Sequence, residues 1–166
     1  MSSFLDTMLA RAKADKQTIV LPEGDDPRTL EAAESILAQD VANLIILGNV
    51  EAIKESGRKL DGATLIDPQD SDLHDEFANT LYELRKHKGM TLEKAAEQVR
   101  DELFFGVLMV KTGRADGMVS GACHSTGDVL RPSLQILKTA PGVKLVSSFF
   151  IMVVPNCEYG QNGTFL

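Results

Sequence analysis

Short aliphatic runs that each stop at a proline or glycine alternate with helix-period segments along this chain, and few folds accept that pattern. Thr18–Leu21 is closed by Pro22, Asn43–Leu47 by Gly48, and Thr64–Ile66 by Asp67-Pro68. Between the first two, Asp26-Pro27 supplies an N-cap and a proline at the first helical position, and the helix that follows carries Leu30, Ala33, Ile36 and Leu37 inward. A short helix after Gly48 ends near Ser56, with Gly57 as its cap. Strands separated by helices pair in parallel, because a crossover returns the chain to the same end of the sheet. The expected fold class is α/β, a three-layer α/β/α arrangement on a mostly parallel sheet, followed by the first strands of a second α/β domain.

The remaining segments extend that rhythm. Phe4, Leu5, Met8, Leu9 and Ala12 share one helical stripe, and Leu73, Phe77, Leu81 and Leu84 share another that ends in Arg85-Lys86-His87-Lys88. Thr91 caps a further helix, whose apolar pattern runs through Leu103-Phe104-Phe105 to Gly113, with Gly106 expected to divide it. Residues 116–120 read as a strand and 126–138 as a helix interrupted at Pro132. Residues 144–154 are apolar on both faces, which predicts a strand in the middle of a sheet. Gln161-Asn162-Gly163 is an Asn-Gly hairpin turn, yet the returning Thr164-Phe165-Leu166 is too short to hold a hairpin. The expectation is therefore an incomplete protein: an N-terminal α/β domain over 1–142, and a second, truncated domain begun over 143–166.

Composition bounds the function. The chain has 166 residues, a formal net charge of −7 and a pI near 4.9, with no basic stripe, which excludes the electrostatic footprint of a nucleic-acid binder. Its longest apolar stretches, 103–110 and 149–154, fall short of the ~18 residues a membrane span needs. Asp6 interrupts the first apolar cluster and no signal-peptide pattern is present, so a cytoplasmic protein with neither membrane nor nucleic-acid partners is expected. Cys123 and Cys157 form neither a disulfide framework nor a CxxC pair. All but two of the 24 acidic residues lie in residues 1–117. The charge-poor remainder is thus either buried core or the wall of a site that something else covers.

The densest chemical segment is Gly121-Ala122-Cys123-His124-Ser125-Thr126-Gly127-Asp128-Val129-Leu130-Arg131-Pro132, which begins at the end of a strand and runs into a helix start. In open α/β sheets ligands bind beyond the carboxyl ends of strands, where backbone amides and a helix N-terminus favour an anion. Ser125, Thr126 and Gly127 suit that role, and Arg131 offers a forked cationic donor set for phosphate oxygens. An ordinary polar loop accounts for the same residues, and both readings stay open. Neither GxxxxGK[ST] nor GxGxxG occurs. Cys123-His124 and His124 with Asp128 invite nucleophile and metal readings, but neighbours in a loop point apart and two ligands make no site, so the structural reading is kept and no metal is expected. Arg85-Lys86-His87-Lys88 is either a solvated helix end or a docking point for a phosphorylated cofactor. Glu23, Asp25, Asp26 and Arg28 read as capping plus a surface ion pair.

Several segments together resemble phosphate acetyltransferase (phosphotransacetylase), in its N-terminal part. They are Leu21-Pro22-Glu23 with Arg28-Thr29-Leu30, Tyr82 to Gly89, Asp116 to Pro132, Ser148-Phe149-Phe150, and Cys157-Glu158-Tyr159-Gly160 with Gly163-Thr164-Phe165-Leu166. Phosphate butyryltransferase shares the general plan. The resemblance implies transfer of an acetyl group between coenzyme A and inorganic phosphate, giving acetyl phosphate. CoA would be a substrate, with no permanently bound cofactor, no metal and no covalent enzyme intermediate, and the complete protein would be a homodimer. It implies that Arg85 meets a CoA phosphate, that Arg131 lies in the active cleft near the phosphate of acetyl phosphate, and that Ser125 and Thr126 line the same loop. Cys157 would lie near the cleft without acting as nucleophile. The Ser-Arg segment and Asp credited with catalysis fall beyond Leu166, so the chain alone is expected to be inactive. The competing expectations are a non-catalytic acetyl-CoA-sensing module, like the domains appended to bacterial malic enzymes, and a generic phosphate-binding α/β domain.

Overall fold

A computed structural model describes residues 4–161 and 163–166. Its elements are α1 (Phe4–Ala14), β1 (Thr18–Leu21), α2 (Pro27–Gln39), β2 (Asn43–Leu47), α3 (Val50–Glu55), β3 (Thr64–Ile66), α4 (His74–Arg85), α5 (Leu92–Gln98), α6 (Glu102–Lys111), β4 (Gly117–Met118), α7 (Thr126–Ile136), β5 (Met152–Val153) and β6 (Thr164–Phe165). Residues 16–138 form one compact unit, and residues 4–15 group with the described residues of 139–166 in another.

In the larger unit the strands form an all-parallel sheet in the order β3-β2-β1-β4. Side chains alternate across a strand, so β2 sends Leu44 and Ile46 to one face and Ile45 and Leu47 to the other. The first pair packs with Leu30 and Ala33 of α2 and Ile53 of α3. The second joins Phe77 and Leu81 of α4, Ala95 of α5, Leu108 of α6 and Ile136 of α7. Both faces are therefore covered, and the three-layer α/β/α arrangement expected of the alternating pattern is present.

Asp26 caps α2, accepting from the Arg28 amide at 2.8 Å, with Pro27 at the first helical position. Helix α6 is the centre of its layer. Every residue from Leu103 to Met109 is buried, which explains why it is apolar all round rather than along one stripe. The ring of Phe105 meets that of Phe77 edge-on, with centroids 4.8 Å apart. Gly106 does not divide the helix as expected; α6 runs through it, and the break from α5 falls at 99–101, where Asp101 starts a new N-cap. Gly106 is there because α6 lies close on the sheet: a Cβ would sit 2.8 Å from Met118 Sδ and 3.2 Å from Val20 Cγ1. Helix α7 likewise continues past Pro132.

The smaller unit differs more from expectation. Residues 144–154 are not a buried central strand. Phe149 and Phe150 are 75% and 85% exposed, and only Met152–Val153 is extended and paired, antiparallel to Thr164–Phe165. A strand buried on both faces needs two neighbours and two covering layers, and among the described residues this one has a single two-residue partner. The short return at Thr164 does pair, and the expected turn residue Asn162 lies outside the described residues.

The strand order fixes where a ligand can sit. From β1 the chain moves to β2 and β3 on one side, then crosses to β4 on the other, so the direction of winding reverses between β1 and β4. Loops that leave the carboxyl ends of two such strands diverge and leave a crevice.

Candidate functional site

Ile19 and Val20 of β1 pair with Gly117 and Met118 of β4, so the residues just beyond these strands face one another. Glu23 follows β1 after Pro22, and 119–125 follows β4. Glu23 is only 3% exposed, and its carboxylate gathers the whole β4 loop. Oε2 accepts from the amides of Gly121 and Ala122, both at 2.9 Å. Oε1 accepts from the amides of Cys123 and His124, both at 3.0 Å, and faces His124 Nδ1 at 2.9 Å. Gly121 holds φ +119°, a backbone conformation that favours glycine, and so lets the chain curl around the carboxylate. Arg28 grips the same loop from the other side: it donates to Asp26 at 2.7 Å and to the Ala122 carbonyl.

Burial opposes ionisation of Glu23, but the amides of Ala122, Cys123 and Gly121 and the His124 ring outweigh it and hold the carboxyl far below the usual carboxylate range. An ionised carboxylate only accepts, so the proton between Glu23 and His124 sits on Nδ1. The far nitrogen of His124, Nε2, is 3.7 Å from Glu102 Oε1 in the first turn of α6. Burial raises the Glu102 pKa to about 7, assisted by the carboxylates of Asp25, Asp101 and Glu23 and opposed by His124. Burial would lower the pKa of His124, but Glu23 and Glu102 together raise it.

The ring of His124 thus has a structural partner, and that partner is the buried Glu23 carboxylate rather than the loop backbone. One expectation beside it is corrected. Cys123 is exposed, and its Sγ lies 3.6 Å from His124 Nδ1, although neighbours in a loop are expected to point apart. That contact does not make a nucleophile, because partial burial of the sulfur and the Glu23 carboxylate both push the thiol pKa upward. Glu23, Cys123 and His124 offer ligand-type atoms within 4.8 Å of one another. The carboxylate, however, already accepts from four amides and a ring nitrogen, and those donors repel a cation.

The loop hands on directly to α7. Ser125 is the N-cap, its Oγ accepting from the Asp128 amide at 3.3 Å and donating to Asp128 Oδ2 at 2.6 Å, so its side chain is engaged in capping. Thr126 lines a cleft of about 230 Å³ with Ser120, Gly121, His124, Val129 and Leu130. On the other side of the loop, Leu21, Arg28, Thr29, Ala32 and Val119 line one of about 240 Å³. Arg131 projects from α7 with two thirds of its side chain exposed and only a 3.7 Å ion pair to Asp128. Arg85 lies elsewhere, in a cleft of about 570 Å³ shared with Lys88, Gly89, Met90, Lys94, Glu97 and Gln98. Its Nε is buried without a hydrogen-bond partner, as is Gln98 Oε1. The sequence-derived site residues therefore divide, with Ser125, Thr126 and Arg131 on one element and Arg85 in a separate basic cleft. Glu23, assigned from sequence to surface capping, is the functional residue the sequence did not reveal; its place one residue past Pro22 marks only a strand end, and the pairing of β1 with β4 that supplies its partners has no local signal.

Comparison with known proteins agrees with this architecture. A family model described as phosphate acetyl/butaryl transferase matches residues 3–165. The chain is 54% identical over 166 residues to a phosphate acetyltransferase of Thermoanaerobacterium thermosaccharolyticum, covering 99% of this chain and 51% of that protein. It is 55% identical over 166 residues to one of Acetivibrio thermocellus, covering 99% and 50%. Among solved structures, a phosphotransacetylase from Streptococcus pyogenes superposes with a TM-score of 0.86 at 38% identity, over 93% of this chain and 49% of that one. The EutD phosphotransacetylase from Staphylococcus aureus gives 0.82 at 38%, over 92% and 47%. The chain spans about half the length of these relatives.

Proposed function

The chain belongs to the phosphate acetyl/butaryl transferase family, and from that membership we propose that it serves acetyl transfer between coenzyme A and inorganic phosphate, with acetyl phosphate as the other acyl carrier. The observation that carries this reading is the Arg85 cleft. A guanidinium with a buried, unpartnered Nε, flanked by Lys88 and Lys94 in an otherwise acidic chain, suits the phosphates of a CoA-sized ligand. The β1–β4 crevice supplies the second half of the reading. Arg131, nearly free of its Asp128 partner, meets the phosphate of acetyl phosphate, with Thr126 lining the loop beside it and Ser125 holding the turn.

In this reading CoA is a substrate, and neither a metal nor a resident cofactor takes part. The CoA thiol gives up its proton and its sulfur attacks the acetyl carbonyl; the C–S bond forms, the C–O bond to phosphate breaks, the phosphate leaves and takes up a proton, and the cationic side chains neutralise charge on the departing oxygens. The raised pKa of Cys123 supports transfer without an acyl-cysteine. Acetyl rather than butyryl is preferred because the relatives at 54% and 55% identity are named for acetyl. Residues 143–166 open a second domain, and the protein acts in the cytoplasm as a homodimer, without nucleic-acid or membrane partners.

Isothermal titration of the 166-residue chain with CoA and, separately, with acetyl phosphate tests the reading. Saturable binding of each, the second weakened by Arg131→Ala, supports it. A chain that binds neither contradicts it.

A further inference from the structure

We propose that Glu23 is a positioning residue for acyl transfer: its buried carboxylate fixes residues 121–124, and thereby the first turn of α7, in the one conformation that presents Thr126 and Arg131 to a phosphate group. The inference rests on the reading that these two residues meet acetyl phosphate. Successive backbone N–H groups curled around a point are the arrangement that ordinarily binds a phosphate oxygen. Here the amides of Gly121, Ala122, Cys123 and His124 are all donated to one internal carboxylate. The loop's own nest is filled, so those amides hold the loop in place and leave substrate contact to the residues that follow.

The geometry makes this hold tight. Glu23 stands at the end of β1, which is flanked by strands on both sides, and is 3% exposed. Any displacement of the loop strands a buried charge without its donors, which is among the costlier changes a protein interior can undergo. The loop is gripped a second time where Arg28 donates to the Ala122 carbonyl. Ser125 follows His124 directly and is itself the N-cap, so no slack separates the anchored amides from α7. An apolar residue at position 23 would be the simpler choice for a buried strand end. A carboxylate there holds four consecutive residues in one conformation, which an apolar side chain cannot do.

Glu23→Gln and Glu23→Asp in the 166-residue chain test this. Gln keeps the shape but turns one acceptor into a donor facing amides, whereas Asp keeps the charge one methylene short. In Glu23→Gln the amide resonances of 121–126 are expected to shift or broaden while those of β2 and α2 stay in place. The affinity for acetyl phosphate should fall about tenfold or more, the scale of one charge-assisted hydrogen bond, and the His124 ring should titrate at lower pH. Glu23→Asp should recover part of the affinity, which also serves if the Gln variant does not fold. Unmoved 121–126 amides, or parental affinity in a folded Glu23→Gln chain, overturns the proposal. Arg131→Ala separates it from the reading beneath it. Weak binding by Arg131→Ala with parental binding by Glu23→Gln sinks the role of Glu23 alone; the converse sinks the role of Arg131 alone; no binding by the unmutated chain sinks both.

Discussion

Glu23 Oε1 and His124 Nδ1 lie 2.9 Å apart although 101 residues separate them in the chain. The contact ties together the two loops that leave β1 and β4, and Glu102 approaches the opposite ring nitrogen at 3.7 Å. Three side chains from the two strand ends and from α6 thus meet where the winding of the sheet reverses.

Stability should depend on pH through this cluster. Glu23, with a lowered pKa, contributes stability that is present above its ordinary value of 4.5 and lost as pH falls. Glu102, raised from 4.5 to about 7, favours the fold most below 4.5 and progressively less as pH rises toward 7. His124, raised above 6.5, contributes fully below 6.5 and loses its contribution as pH rises through its folded value. With Asp25 and Asp101 adding like charge nearby, the cluster should favour mildly acidic pH, and Tm should decline from pH 6 to 8. Glu102→Gln removes one falling limb, so its Tm at pH 8 should exceed the parent's by about 3 °C. Calorimetry across pH 5 to 8 checks the sign, and a Tm that rises through neutrality would refute it.

Gly106→Ala tests the seat of α6 on the sheet. The added methyl meets Met118 Sδ at 2.8 Å and Val20 Cγ1 at 3.2 Å, deep in the larger core. Only the sulfur end is flexible, so a loss of about 1–3 kcal/mol in urea unfolding is expected. A neutral result would mean that α6 can lift from β1 and β4 at little cost.

Cys123 is exposed, yet its thiol pKa is raised. Alkylation by iodoacetamide near pH 7.5 should therefore run more slowly than that of free cysteine, and Glu23→Gln should accelerate it. Faster modification than free cysteine would revive a nucleophilic role for Cys123.

Local signals in the sequence carried the layer architecture well. The proline and glycine stops marked β1, β2 and β3, and the Asp26-Pro27 pair marked the start of α2. What was not legible depends on pairing between distant segments. Glu23 looked like one more acid in a surface cluster because nothing local says that β1 lies beside β4. Gly106 looked like a helix breaker because its reason is the sheet beneath it. The apolar run 144–154 looked like a central strand because hydrophobicity reports a preference for burial, and the described residues supply it with one short partner. Ser125, Thr126 and Arg131 were found together since one helix start carries them, whereas Arg85 needed the packing of α4 on α5 to gain its cleft.

Proposed recognition of the CoA phosphates by the Arg85 cleft is tested most directly by a binding cycle. Titrating the parent chain and Arg85→Ala with CoA and with pantetheine, which lacks those phosphates, isolates the contact. Arg85→Ala is expected to weaken CoA binding by about tenfold or more, as for a lost charge-assisted pair, and to leave pantetheine binding unchanged. Equal affinity of parent and variant for CoA would contradict it.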